Sequence, residues 1–217
     1  MAGRGTSKGT KILQTAHLPL ADHVSPDDLQ DVRGFGTVEP MTRESLINDK
    51  LTDLKNSLNM TVEFHRLGAI QGKIYDADGE TVLHDLYEVF DVQQKKVSLV
   101  FPTNSTNFNP VQKAINEAKR HAEDKLGGIP ATRFEALCGA DFFDMLVGHK
   151  LVREAYNLWA ANQAGFGRED FRARGFTYAG VTFIEASEVV AGRQMVDPDK
   201  AHFYPVGPDV FIQYNAP

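Results

Sequence analysis

Residues 42–86 read TRESLINDKLTDLKNSLNMTVEFHRLGAIQGKIYDADGETVLHDL, and within them the apolar period changes once. Ile47, Leu51, Leu54 and Leu58 recur at steps of four and three, the spacing that puts side chains on one face of an α-helix. Thr42 is a suitable N-cap and Glu44 complements the first turn. A helix from Thr42 to about Ile70 is roughly 40 Å long at 1.5 Å rise per residue. A coiled coil of that length would keep its heptad register. Here the register loosens after Leu58, where Asn59, Thr61 and Glu63 intervene, so a long spine laid across a sheet fits better. Gly68 and Gly72 are expected to end it. From Lys73 the pattern is that of a hairpin, with strands Lys73–Tyr75 and Thr81–Leu86 about the turn Asp76-Ala77-Asp78-Gly79.

Before this block, residues 1–41 lack sustained periodicity. Glycine, Ser/Thr and lysine fill the first fifteen positions, and the Pro/Asp-rich stretch 19–28 follows. Such a segment cannot bury enough apolar surface to fold alone and is expected to be an extended arm or loop. After the hairpin, Val97–Phe101 reads as a short strand. Asn109 (N-cap) and Pro110 (first helical position) open a helix that Gly127-Gly128 close. Its stripe is Val111, Ala114, Ile115, Ala118, Ala122 and Leu126. Arg133–Cys138 reads as a buried strand, and Asp141 is expected to cap a short helix with Phe142, Phe143, Met145 and Leu146. Leu151, Val152, Ala155, Leu158 and Trp159 mark a further helix, and Ala164–Arg174 a mobile loop. Phe176–Tyr178 and Val181–Glu185 form a hairpin about Ala179-Gly180, and Ala201–Val206 and Val210–Tyr214 add two strands. Helices and strands alternate without a βαβ rhythm, so the fold class is α+β.

The chain has 217 residues, 42% hydrophobic and 24% charged, within the range of soluble globular chains. One cysteine, Cys138, excludes an intramolecular disulfide and fits a reducing compartment. No apolar run approaches the length of a membrane helix. The net charge is -6. Because Arg4, Lys8 and Lys11 stand at the start with no acid before Asp22, the remaining body is more acidic than the total suggests. An acidic body is a poor ligand for phosphate backbones, and the basic start is expected to be a solvated or partner-bound arm.

No pattern of residues points to catalysis. His17, His23, His65, His84, His121, His149 and His202 contain no HxH or HxxxH pair. Asp76, Asp78 and Glu80 resemble the opening of a calcium loop, but no glutamate follows at its twelfth position, so they are assigned to the turn. Asp27-Asp28 starts a turn. Gly3-Arg4-Gly5, Gly34-Phe35-Gly36 and Gly165-Phe166-Gly167 do not lie between a strand and a helix, as a phosphate cradle requires. Cys138 is assigned to the core, with a nucleophilic role kept open because a helix start lies beside it. Catalytic, cofactor-binding and metal-ligating residues are thus expected to be none.

Five stretches in order carry a resemblance: AHLPLADHVSPDDLQDVRGFGT (16–37), INDKLTDLKNSLNMTVEFHRLGAIQGKIYDADGETVLHDLYEVFDV (47–92), ALCGADFFDMLVGHKLVREAY (136–156), FTYAGVTFIEA (176–186) and AHFYPVGPDVFIQYNAP (201–217). Together they resemble the phage major capsid protein E family, the lambda-type head proteins. The resemblance implies the Hong Kong 97-type capsid fold. Residues 1–41 would be an extended loop and its return, 42–101 a peripheral domain with spine helix and hairpin, 102–206 an axial domain, and 207–217 a strand returning to the periphery. It further implies a homo-oligomer of pentamers and hexamers enclosing double-stranded DNA, with scaffold, portal and decoration proteins as further partners. The location implied is a virion capsid assembled in the bacterial host cytoplasm, with no active site. Family chains carry an N-terminal arm and continue past an ending like FIQYNAP, so the resemblance implies a fragment. The self-crosslinking lysine–asparagine pair of some fold relatives is identified by no residues here. Two alternatives are a nanocompartment shell of the same fold and a small enzyme using Cys138 with a distant histidine.

Overall fold

The computed structural model describes residues 12–25, 28, 43–99, 109–163, 175–186, 189–190, 193–194 and 196–214. The periodic stretch forms one helix, α1 (Arg43–Gln71), 29 residues long. Asn59, Thr61 and Glu63 do not break it. Gly68 does not end it, contrary to expectation: α1 passes through Gly68 and stops at Gln71. The glycine serves a different need, because a Cβ there would fall 2.6 Å from the Lys73 carbonyl oxygen. Its absence lets the next strand fold back against the helix backbone.

That strand is β1 (Lys73–Tyr75), paired antiparallel with β2 (Val82–Asp85). The intervening turn has Gly79 at φ +75°. Asp78 holds it, its Oδ1 accepting from the amides of Glu80 and Thr81 at 2.9 Å each and its Oδ2 from the Thr81 hydroxyl at 2.6 Å. Asp85 ends β2 and caps a helix the sequence did not reveal, α2 (Leu86–Phe90), accepting from the amides of Tyr87 and Glu88. Tyr87 then reaches back to donate to the Gln71 carbonyl at 2.7 Å. Its ring lies where a Cβ on Gly72 would be, 2.3 Å from the nearest ring atom, and Gly72 sits at φ +88°. The expected strand from Val97 is not formed over residues 97–99, and Val100 and Phe101 lie outside the described residues.

The main core belongs to a mixed sheet. In chain order come α3 (Pro110–Leu126), β3 (Arg133–Cys138), α4 (Ala140–Gly148), α5 (Lys150–Gln163), β4 (Phe176–Tyr178), β5 (Val181–Glu185), a small pair β6 (Val189–Val190) and β7 (Arg193–Gln194), and β8 (Ala201–Val206). The sheet order is β4-β5-β3-β8, with β3 parallel to β5 and antiparallel to β8. One face carries Phe134, Ala136 and Cys138 beside Val181, Phe183 and Phe176. Val111 and Ile115 of α3, Phe142, Phe143 and Leu146 of α4, and Val152 of α5 join them in one buried cluster. Each such side chain fully removed from water is worth about 1.5–3 kcal/mol.

Caps set α3. Asn109 accepts from the Gln112 amide at 3.1 Å and donates through Nδ2 to the Tyr178 hydroxyl at 2.6 Å, so the cap also fastens the helix to β4. At the far end Gly127 takes φ +60°. Between β4 and β5, Ala179 and Gly180 both have positive φ, the type of tight turn expected there. The start of α4 departs from expectation. Asp141 is not its cap; Gly139 is, without a side-chain hydrogen bond. The turn before β8 supplies the acceptor instead, as the Phe142 amide donates to the Pro198 carbonyl at 2.8 Å. A Cβ on Gly139 would meet the Asp197 carbonyl oxygen at 2.1 Å.

Val210–Tyr214 is not a strand. After β8 the chain turns, the Val210 amide donating to the Gly207 carbonyl, and Phe211 packs edge-on against Tyr204, with ring centroids 6.1 Å apart. Ala164–Arg174 lies outside the described residues.

Gly72→Ala should cost about 2–4 kcal/mol in urea unfolding, from left-handed strain plus the clash with Tyr87. Gly128→Ala, at φ +105° but with nothing within 4 Å of its Cβ, should cost only about 1–2 kcal/mol.

Candidate functional site

Among the described residues, Cys138 and the histidines do not gather into one site. Cys138 is fully buried, and its thiol donates to the Ala136 carbonyl at 3.5 Å. Burial pushes its pKa strongly upward, with the Glu185 charge adding to the rise and a backbone hydrogen bond at Ile184 opposing it. A thiol raised in this way stays protonated at neutral pH and is a poor nucleophile. The α4 start beside it, which kept a nucleophilic role open in the sequence, does not offset that desolvation.

His17 and His23 lie in the exposed segment 12–25, His121 on α3, His149 buried behind α4, and His202 on β8. His65 on α1 and His84 on β2 come close enough for their charges to interact. The Nε2 of His65 is buried with no hydrogen-bond partner among the described residues. Desolvation lowers its pKa; Asp76 and a hydrogen bond with the Tyr75 backbone oppose this, and His84 adds to it. Among the described residues no three His, Cys, Asp or Glu side chains form a group able to hold a metal ion, and no helix is long and apolar enough to cross a membrane. Asp76 and Asp78 accept from the amides of their own turn. Asp28 likewise closes a turn, accepting from the Ser25 amide at 2.9 Å. Asp27, the glycines at 3, 5, 34, 36, 165 and 167, and the basic residues Arg4, Lys8 and Lys11 lie outside the described residues.

What the elements present instead is surface. Of the 29 residues of α1 only Phe64 and Gly68 are buried. Leu51 and Met60 are 57% and 59% exposed, although helices in a domain normally hide their apolar stripe. The segment 12–25 has no regular structure and runs beside this helix. Its Gln14 carbonyl lies 2.7 Å from Nε2 of His84 at the hairpin. Its His23 carbonyl accepts from Lys50 near the other end of α1 at 2.6 Å. Residues 12–25 are thus tied to their own chain, while the basic start expected to be solvated or partner-bound lies outside the described residues.

The unburied face of the main sheet is bridged to α1. Glu135 on β3 accepts from Arg133 at 2.6 Å and from the Tyr204 hydroxyl at 2.8 Å. Tyr204 carries Phe211, and two residues on Gln213 accepts from Arg66 of α1 at 3.2 and 3.0 Å. The C-terminal segment therefore strings sheet and spine together, while leaving Ile212 and Tyr214 exposed.

Two measurements follow from these placements. Iodoacetamide should fail to modify Cys138 in the native protein and react fully once urea has unfolded it. Stability should also fall on acidification. His65 and His202 both have pKa values lowered by burial, so the unfolded chain binds protons first. Stability is therefore lost as pH drops through the ordinary histidine value, about 6.5, towards the lower folded values. The urea midpoint should decline between about pH 7.5 and 5.5, and His65→Gln should flatten that slope.

The family model for "Phage major capsid protein E" matches residues 1–217. Over 221 aligned residues, 97% of this chain is 28% identical to the major capsid protein of Pseudomonas phage KPP10, of which it covers 62%. A stretch of 139 residues, 62% of this chain, is 32% identical to the major capsid protein of Salmonella phage Felix O1 (isolate Felix O1-VT1), covering 37% of it. The chain therefore spans less than two thirds of the length of either relative. With the family model matched from end to end, this chain belongs to the phage major capsid protein E family.

Proposed function

We propose that this chain is a structural subunit of a tailed-phage or prophage head, and that it works by assembly rather than catalysis. One observation carries the proposal: a 29-residue helix fastened at one end to a hairpin, with only Phe64 and Gly68 of it buried, beside a compactly cored mixed sheet. A lone globular domain gains nothing from holding such a rod outside its core. A shell subunit does, because extended flat contacts repeated around a rotation axis close into rings.

The Hong Kong 97-type division suits the arrangement. In it, residues 42–101 form the peripheral domain, 102–206 the axial domain, 207–217 the return towards the periphery, and 1–41 the extended loop. The Tyr204–Phe211 contact and the Arg66–Gln213 hydrogen bonds favour that role for the last segment. Rings of five and six subunits would then surround double-stranded DNA in the virion capsid, after assembly in the bacterial host cytoplasm, with scaffold, portal and decoration proteins as neighbours. The acidic balance of the chain, -6, agrees with enclosing DNA without reading its sequence. The protonated, buried Cys138 argues against a cysteine enzyme.

Concentrated protein should form pentameric and hexameric rings or larger shells in negative-stain electron microscopy, with a matching concentration dependence in sedimentation velocity. A monomer that persists across the accessible concentration range would overturn the assignment. Deleting residues 1–18 should lower association at least about tenfold, the loss of about 1.4 kcal/mol of contact, while leaving the thermal transition of the monomer nearly unchanged.

A further inference from the structure

Lys50 stands at a point where three acceptors meet. Its ammonium donates to the His23 carbonyl oxygen at 2.6 Å and lies 3.4 Å from a carboxylate oxygen of Asp22 and 3.4 Å from one of Asp28. Three N–H donors thus face three oxygens, the full capacity of a lysine. All three acceptors belong to the segment preceding α1. About nine residues upstream the same segment meets the body again, where the Gln14 carbonyl is held by His84. Fifteen residues of α1 separate Lys50 from His65, the helical residue beside His84, which is about 22 Å of helix. Nine residues of extended chain reach about 30 Å. Nine residues therefore suffice, with slack, to run along the spine between two polar fastenings.

Apolar burial adds little to this docking. Ile12 is 89% exposed, Leu13 and Leu20 are exposed as well, and the best-covered apolar side chains, Leu18 and Val24, are only half-buried. The strap thus gains little of the dry contact that holds β3 in its sheet. What remains is the attraction of one cation for two carboxylates and a carbonyl, at a lysine whose side chain is 26% exposed. An interaction of that kind is screened as the Debye length shrinks from about 10 Å at 0.1 M salt to about 3 Å at 1 M.

We propose that residues 12–25 form a charge-latched strap, closed on the flank of α1 by Lys50 through Asp22, His23 and Asp28 and able to swing off as a unit while the body stays folded. Opening lays bare the side of α1 between Lys50 and His65 and frees the half-buried Leu18 and Val24. The latch is a property of the single chain and does not depend on the proposed shell role, so its test is made on monomer.

Spin labels on Ala21→Cys and Ser57→Cys report the strap-to-helix distance in the full chain by double electron–electron resonance; buried Cys138 stays unlabelled. At about 0.05 M NaCl, where the Debye length exceeds 10 Å, one short, narrow distance should dominate. Raising NaCl to about 1 M should increase the long, broad component at least about threefold. Lys50→Gln should show that open distribution already at low salt, and Lys50→Arg should remain closed there. The thermal transition by circular dichroism should match the parent in both variants. An unchanged narrow distance in Lys50→Gln, an insensitivity to salt in the parent, or an opening accompanied by a lowered thermal midpoint would each overturn the latch.

Discussion

The long helix can be a spine because a hairpin closes against its last turn, and that closure is a matter of two missing side chains. At Gly68 the Lys73 carbonyl occupies the volume a Cβ would need, and at Gly72 the Tyr87 ring does. Without them β1 could not reach the helix backbone, Tyr87 could not donate to Gln71, and α2 would lose its seat. Everything that extends from this junction inherits its direction: the free length of α1, the strap beside it, and the C-terminal segment that meets Arg66. Glycine in a helix interior costs about 1 kcal/mol against alanine. The close packing it permits outweighs that.

The two halves of the molecule are held by different physics. The sheet half is a conventional dry core, in which alternate residues of β3 meet three helices and a neighbouring strand. Its polar links, Asn109 to Tyr178 and Lys119 to the Ala179 carbonyl, tie both parts of α3 to one hairpin. The spine half has little buried area and relies on backbone packing, caps and ion pairs such as Lys73–Asp85 at 2.8 Å. Salt therefore acts mainly on the spine, while pH reaches both halves, through His65 and His202. In the proposed shell role, a dry rigid part beside a polar exposed one would let the surface rearrange without risking the core. Reversible assembly asks for that separation, since errors must be undone before they are locked in.

Local chemistry accounts for most of what the residue order foretold. Asn109, Pro110 and Gly127 bound α3 to the residue, and Asp78-Gly79 and Ala179-Gly180 mark their turns, because caps and turns are satisfied within a few residues of themselves. The membership in a capsid family was legible for a related reason: five word-like stretches keep their order. Where expectation and structure part, the deciding group lies far away along the chain. Gly68 reads as a terminator and is a contact point for β1. Asp141 reads as a cap, yet the acceptor for the Phe142 amide comes from Pro198. Val210–Tyr214 has the composition of a strand but meets the Tyr204 ring and Arg66 instead of a strand edge.

The sequence by itself determined the α+β class, the length of the spine and nearly every helix and strand of the sheet half, since periodicity, caps and residue type are local quantities. Only the tertiary structure decided that β3 sits between β5 and β8, that Cys138 is sealed in the core with its proton, and that Lys50 gathers Asp22, His23 and Asp28 on the flank of α1. Strand pairing, burial and ion-pair partners are relations between residues distant in the chain, and chain order alone does not encode which distant groups will meet.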